Sequence, residues 1–230
     1  MAANSLRARV RAEMIDEIKA AARRHLATDG ANLSLRAVAR DLGMASSAIY
    51  RYFPSRDDLL TTLILEAYVA LGDAVEAADA AVDRDDLRGR WFASCRAARA
   101  WALANPAEYA LLYGSPVPGY TAPDDTVEPA ARPPMTLIGI ARDGLATGQL
   151  TPPPADDLPQ PVRDDLADVA ASLAPGMPVA LLARGMAGWT QLFGLISFEL
   201  FGRIKGALPH RDDYFDHQIA LMADLVGLPR

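Results

Sequence analysis

Residues 34–60, SLRAVARDLGMASSAIYRYFPSRDDLL, constrain the fold more than any other stretch of the chain. Leu35, Val38, Ala39 and Leu42 recur every three to four residues behind Ser34, which can cap them, so the spacing predicts a short helix with one apolar stripe. Gly43 ends that helix, because glycine takes a positive φ at least cost. A second short helix is expected over Ala45–Phe53, with Ala48, Ile49, Tyr52 and Phe53 facing inward and Ser46, Ser47, Tyr50 and Arg51 facing outward or to the side. Pro54 closes it, and Ser55 with Asp58 fits a capping box that opens a third helix running to about Leu71, which the Ala-rich segment to Ala81 continues or ends. Two short helices about a glycine turn make a helix-turn-helix, whose second helix enters the major groove of DNA.

The same residues resemble the TetR family of bacterial transcriptional regulators. That family ends its DNA-binding half in Tyr-x-Tyr/His-Phe, a small or polar residue, Lys, two acids and Leu. This chain has Tyr50, Tyr52, Phe53, Ser55, Arg56, Asp57, Asp58 and Leu59 in those places. Arg56 stands where Lys is usual, which keeps a cation for a phosphate but makes it a fork instead of a point charge. Ala45 stands where a Ser or Thr cap is common, which passes capping to Ser46. The resemblance covers residues 5 to about 66 and implies that Arg36, Ser46, Ser47, Tyr50, Arg51, Tyr52 and Arg56 form the DNA-binding surface.

Charge is distributed as such a module requires. The chain of 230 residues has a net charge of -6, but residues 1–56 hold ten Lys or Arg against five Asp or Glu, and residues 57–230 hold thirteen against twenty-four. A basic quarter at +5 on an acidic body at -11 suits a phosphate-facing module attached to a sensing one. Two domains are therefore expected, 1–56 for DNA and 57–230 for ligand binding and dimerisation. Apolar residues, 51% of the chain, suffice for a buried core. No run approaches the ~18 apolar residues of a membrane span, and MAANSLRARVRAEM lacks the apolar core of a secretory signal. The single cysteine, Cys95, allows no internal disulfide, so a cytoplasmic protein is expected.

Helical periodicity fills the rest. A first helix is expected from about Ser5 to Thr28, ended by Asp29-Gly30, with Arg7, Arg9 and Arg11 as a basic arm or a solvated end. Further helices are expected over 86–104, 106–113, 135–147, 162–173, from Pro178 through Phe201, and over 211–226. Pro-rich, acidic stretches at 114–133 and 151–161 are expected to be loops, the first of them mobile. No strand-like alternation occurs, so the fold class is all-α: a three-helix DNA-binding domain followed by a helical ligand-binding and dimerisation domain.

Catalytic chemistry is not legible. There is no phosphate-cradling glycine loop and no Gly-x-Ser-x-Gly elbow. His210 and His217, near Asp213 and Asp216, read as a polar edge more readily than as a metal site. No enzyme, cofactor or metal is expected. Trp91, Trp101, Tyr109, Tyr113, Met135, Met186, Trp189 and Phe193 are the aromatic and Met residues that can line an apolar effector cavity, or else fill a core, with Arg184 and Gln191 as further polar anchors.

The helix from Pro178 is apolar on more than one face and must be buried twice. Its segment WTQLFGLISFELFG is also similar to a C-terminal TetR subtype, with Phe193 where that subtype often carries His. The resemblance implies a homodimer through the last two helices. The resulting expectation is a TetR-like regulator, read as a repressor released from a pseudo-palindromic DNA operator by a small, largely apolar effector. The rival is a helical carrier or enzyme with an incidental helix-turn-helix, which would show no salt-dependent DNA binding.

Overall fold

Ser34 Oγ accepts the Ala37 N–H at 3.4 Å and opens α2 (Leu35–Asp41), and Gly43 takes φ +67° just beyond it. Both follow from the sequence. The computed structural model describes residues 2–29, 33–152, 154 and 158–230, and of residues 2–5 and 29 the backbone alone. Gly30 and part of the second Pro-rich stretch therefore lie outside the described residues. Among those described there are helices and no strand. α1 (Ala2–Asp29) precedes α2, and α3 (Arg56–Ala80), α4 (Leu87–Ala104), α5 (Pro106–Tyr113), α6 (Val127–Ala146), α7 (Gln160–Leu173), α8 (Val179–Leu200) and α9 (Arg211–Val226) follow.

The chain forms two compact units, Met1–Val69 with Asn105–Pro129, and Ala70–Ala104 with Ala130–Arg230. The first has α1, α2 and the start of α3 around Ile18, Ala22, Val38, Ile49, Leu59 and Leu63, all buried. Leu111, Val117 and Tyr120 pack against that core from α5 and the loop after it. In the second unit α8 packs against α4, α7 and α9. At 22 residues α8 is long and apolar enough by composition to cross a membrane, yet it occupies the centre of its unit.

Two elements differ from the expectation. The second short helix is a turn over 46–48 followed by a single 3₁₀ turn, Ile49–Arg51. Neither Ala45 nor Ala48 has a side-chain acceptor to cap an α-turn, and the backbone winds tighter, with Ala48 N–H on Ala45 O at 2.8 Å and Tyr52 N–H on Ile49 O at 2.9 Å.

Helix α6 starts at Val127, so Pro133 and Pro134 lie inside it instead of before it. A 3₁₀ turn at Asp124–Thr126 leads into it, closed by the Thr126 hydroxyl donating to Pro123 O at 2.7 Å. Arg132 then ties the turn before the prolines to α3, forking onto Glu76 at 2.8 and 2.6 Å and reaching Asp73 at 2.6 Å. The two prolines cannot donate the helix hydrogen bonds of their turn.

Candidate functional site

The reading turn is fixed from beneath and open above. Ile49 and Phe53 are buried in the first unit's core, while Ser46, Ser47, Tyr50 and Arg51 are exposed beside Arg36 of α2. Ser55 and Asp58 form the expected capping box, with Asp58 N–H on Ser55 Oγ at 3.1 Å and the Ser55 hydroxyl on Asp58 Oδ2 at 2.6 Å. Tyr52 is half-buried and serves as a platform: the Arg11 guanidinium lies 5.2 Å from its ring centre and donates to Arg51 O at 3.0 Å. Arg11, from the basic arm, thus holds the end of the reading turn, a role its sequence gave no sign of. Arg56 donates through Nε to Leu33 O at 3.0 Å and reaches Pro118 O at 3.5 Å, so its fork joins α3, the entry to α2 and the loop after α5.

That loop belongs to the DNA-reading unit in other ways. The Thr61 and Tyr120 hydroxyls are hydrogen-bonded at 2.9 Å, and Glu108 of α5 lies 3.4 Å from Arg23 of α1. Tyr109 and Tyr113, expected to line an effector cavity, lie here. Tyr109 is fully buried, its ring 5.1 Å from that of Tyr113, which meets Tyr68 edge-on at 6.3 Å. Burial pushes the Tyr113 phenol well above the ordinary tyrosine range, as expected for a packing residue.

In the second unit the expected cavity residues are also dispersed. Trp91 is 2% exposed and its indole N–H donates to Ile219 O at 3.1 Å, which makes it core. Trp101 and Met135 are half-buried, and Met186 is exposed. Arg184 donates to Leu225 O and Gln191 to Gln218, so both join α8 to α9. Phe193 lines a narrow cleft with free space of about 10 Å³, room for about one water, bounded also by Val75 of α3, Ser94 and Ala98 of α4, Pro133 and Leu137 of α6, and Leu192 of α8. Trp189 meets Phe193 edge-on at 6.0 Å. Ser94 is 1% exposed, and neither its Oγ nor Trp189 Nε1 has a hydrogen-bond partner among the described residues. Sequence reasoning passed over Ser94 because a small residue between Trp91 and Ala98 reads as core; the signal available was a lone hydroxyl in an apolar stripe.

Ion pairs brace this unit. Arg90 holds Asp79 and Asp143, while Arg88, Arg96 and Arg99 of α4 meet Asp224, Asp216 and Asp212 of α9 in antiparallel order. Arg99 also forks onto the half-buried Glu199 of α8 at 2.7 Å. No cluster of three His, Cys, Asp or Glu able to hold a metal occurs among the described residues.

Comparison with known proteins assigns the whole. Residues 18–63 match the model of bacterial regulatory proteins of the tetR family, and residues 91–222 match the tetracyclin repressor-like C-terminal domain. The chain belongs to the TetR family. Over 184 residues, 79% of this chain and 78% of the relative, it is 42% identical to the HTH-type transcriptional regulators Rv1816 of Mycobacterium tuberculosis and Mb1846 of Mycobacterium bovis. The crystal structure of the regulatory protein SCO4313 is 33% identical, with a TM-score of 0.77 over 94% of this chain and 98% of that one. This TetR-family protein is thus a DNA-binding transcriptional regulator, not an enzyme. Regulators of the family bind DNA and small molecules and form dimers.

Proposed function

We propose that this regulator is a cytoplasmic homodimeric repressor that leaves a pseudo-palindromic operator when a small, largely apolar effector enters the second unit. The observation that carries the reading is the apolar surface left exposed on α8 and α9: Met186 and Phe198 on the one, with Phe201 just after it, and Leu221 and Leu225 on the other. A second copy related by a two-fold axis covers such a surface with the same surface. Pairing also presents two reading turns, which a pseudo-palindrome spaced by ~34 Å requires.

Within this reading residues 1–56 serve DNA and residues 57–230 serve the effector and the dimer. Tyr50 and Arg56 hold phosphates, fixing register, with Tyr52 supporting them. Ser46, Ser47 and Arg51, with Arg36, meet base edges or the adjacent backbone and carry sequence preference. The effector acts by population shift, and its effect is bounded by its differential affinity for the two states of the dimer.

The test is operator binding by fluorescence anisotropy, using the region upstream of the protein's own gene, over a salt series and with a panel of apolar compounds. Steep salt dependence, and compounds that raise the melting temperature while weakening DNA binding, are the expected results. Salt-independent binding, or stabilising compounds found only among metals and phosphates, would remove the reading.

A further inference from the structure

We infer that Arg11 is a positioning residue for sequence recognition: from outside the helix-turn-helix it fixes the end of the reading turn, and without it this protein holds DNA but discriminates poorly among sequences. The inference rests on the reading of residues 46–51 as the DNA-reading surface, and it names what keeps that surface in shape.

The turn cannot hold its own geometry. Its regular part is the three residues Ile49–Arg51, with no side-chain cap at Ala48, and so short a piece gains too little from its own hydrogen bonds to persist alone. Its far end is left open by Pro54. In a 3₁₀ turn the Arg51 carbonyl would receive the N–H three residues on, and proline has none. Ile49 O takes the N–H groups of Tyr52 and Phe53 at 2.9 and 3.0 Å, but among the described residues no backbone N–H reaches Arg51 O.

Arg11 supplies the missing donor from 40 residues away. Its Nη2 donates to Arg51 O at 3.0 Å, and its guanidinium lies 5.2 Å from the centre of the Tyr52 ring. A cation at the open carbonyl end of a helical turn is favoured by charge as well as by the bond, and the ring beneath fixes the plane of the fork. The turn is thus gripped on two sides, by Ile49 and Phe53 in the core and by α1 at Arg51 and Tyr52. The other arginines of the arm differ: Arg9 pairs with Glu13 at 3.5 Å, and Arg7, one helical turn before Arg11, makes neither of its contacts.

The grip serves discrimination more than attraction. Charge acts over several ångströms, so a phosphate contact tolerates small shifts, whereas a base-edge hydrogen bond fails when its donor moves by about 0.5 Å. Ser46, Ser47 and Arg51 are exposed on this one turn, so slack at its end disturbs all three together. Arg11 is itself a cation beside the reading surface, and a plain phosphate contact would behave differently. Its loss would weaken all DNA alike and lower the salt slope.

Fluorescence anisotropy on two labelled duplexes separates these roles, one carrying the sequence that the wild-type protein selects from a random pool and the other the same bases scrambled. Arg11→Ala is expected to bind the selected duplex about tenfold more weakly, the size of one lost base contact, with scrambled affinity within about twofold and an unchanged salt slope. The scrambled duplex also reports that the variant is folded. Arg11→Lys, which keeps a charged donor for Arg51 O, is expected to recover most of the discrimination. Arg7→Ala, which removes the same charge one turn away, is expected to leave the ratio of the two affinities as in the wild type.

Equal weakening on both duplexes, a lowered salt slope in Arg11→Ala, a lysine variant no better than alanine, or an Arg7→Ala that loses discrimination as Arg11→Ala does overturns the inference. A wild type that selects no sequence removes the reading surface and the inference together. A wild type that selects one, with an Arg11→Ala that discriminates as well, removes the inference alone.

Discussion

Arg90 Nε donates to Asp79 Oδ1 at 2.8 Å, with the Arg90 side chain 1% exposed and Asp79 13%. The pair joins the end of α3 to the start of α4, and Asp143 of α6, accepting from Arg90 Nη1 at 2.8 Å, extends it to a third helix. Such a guanidinium depends on its partners, because an unpaired buried charge is far more costly than the pair is favourable.

Asp79→Ala is therefore expected to lower stability by about 3 kcal/mol, read from urea denaturation. Asp143→Ala should cost less, since its side chain is 39% exposed and Asp79 remains to hold Arg90. The double replacement Arg90→Met, Asp79→Leu should recover most of the loss. Equal effects of the two single changes would show that Asp79 is not the dominant partner.

At the DNA surface Arg56 carries two roles that substitutions separate. Arg56→Lys keeps the charge but loses the fork onto Leu33 O and Pro118 O. Its melting temperature should fall by a few degrees, with DNA affinity and salt slope nearly retained. Arg56→Ala loses both, weakening all DNA sequences alike and reducing the salt slope by about one. An unchanged slope in Arg56→Ala would leave Arg56 with a structural role alone.

Ser47, exposed at the lead of the reading turn, is expected to influence which sequence is bound more than how tightly DNA in general is held. Ser47→Ala should change the preferred operator in a selection from random duplexes while its non-specific affinity stays within about twofold. An unaltered selected consensus would place base reading elsewhere on the turn.

The elements legible in the sequence were those set by local signals. Ser34, Gly43 and the Ser55–Asp58 box fix helix ends through bonds three residues long, and Pro106 and Arg211 open α5 and α9 at the positions periodicity predicts. What local signals could not show was set by partners distant in the chain. The prolines of α6 lie inside a helix whose first turns Arg132 ties to Glu76, 56 residues away, and Tyr109 joins the DNA-reading unit because α5 packs on α1. The cleft is of the same kind. Ser94, Leu137 and Leu192 are unremarkable in their own helices, and only the packing of α4, α6 and α8 brings them to one wall.

The exposed apolar surface predicts assembly. Phe198→Glu and Leu221→Glu should each convert the dimer to a monomer by light scattering, with helical content retained, because both side chains face solvent in the single chain. DNA affinity should fall by at least a hundredfold as two linked half-site contacts become one. A wild-type monomer at micromolar concentration, or variants that remain dimeric, would place the interface elsewhere.

Acid should loosen α4 from α9, and the sign follows from Asp216. Its carboxylate accepts from Arg96 Nε at 2.8 Å and Nη2 at 2.7 Å, and these hydrogen bonds hold its pKa below the ordinary 3.8. A group with a depressed folded pKa contributes stability that is complete above its unfolded value and disappears as pH falls through the folded one. Asp224 is depressed in the same way, first by Arg230 and then by Arg88. Both pairs are solvent-accessible, so Asp216→Asn should cost less than about 1 kcal/mol at pH 7, and less again at high salt. The measurement is the urea midpoint of wild type and Asp216→Asn between pH 7 and pH 2. The gap should stay constant down to about pH 4 and close below that; a gap that persists at pH 2 would mean the asparagine acts through packing, with no electrostatic bond between α4 and α9 to lose.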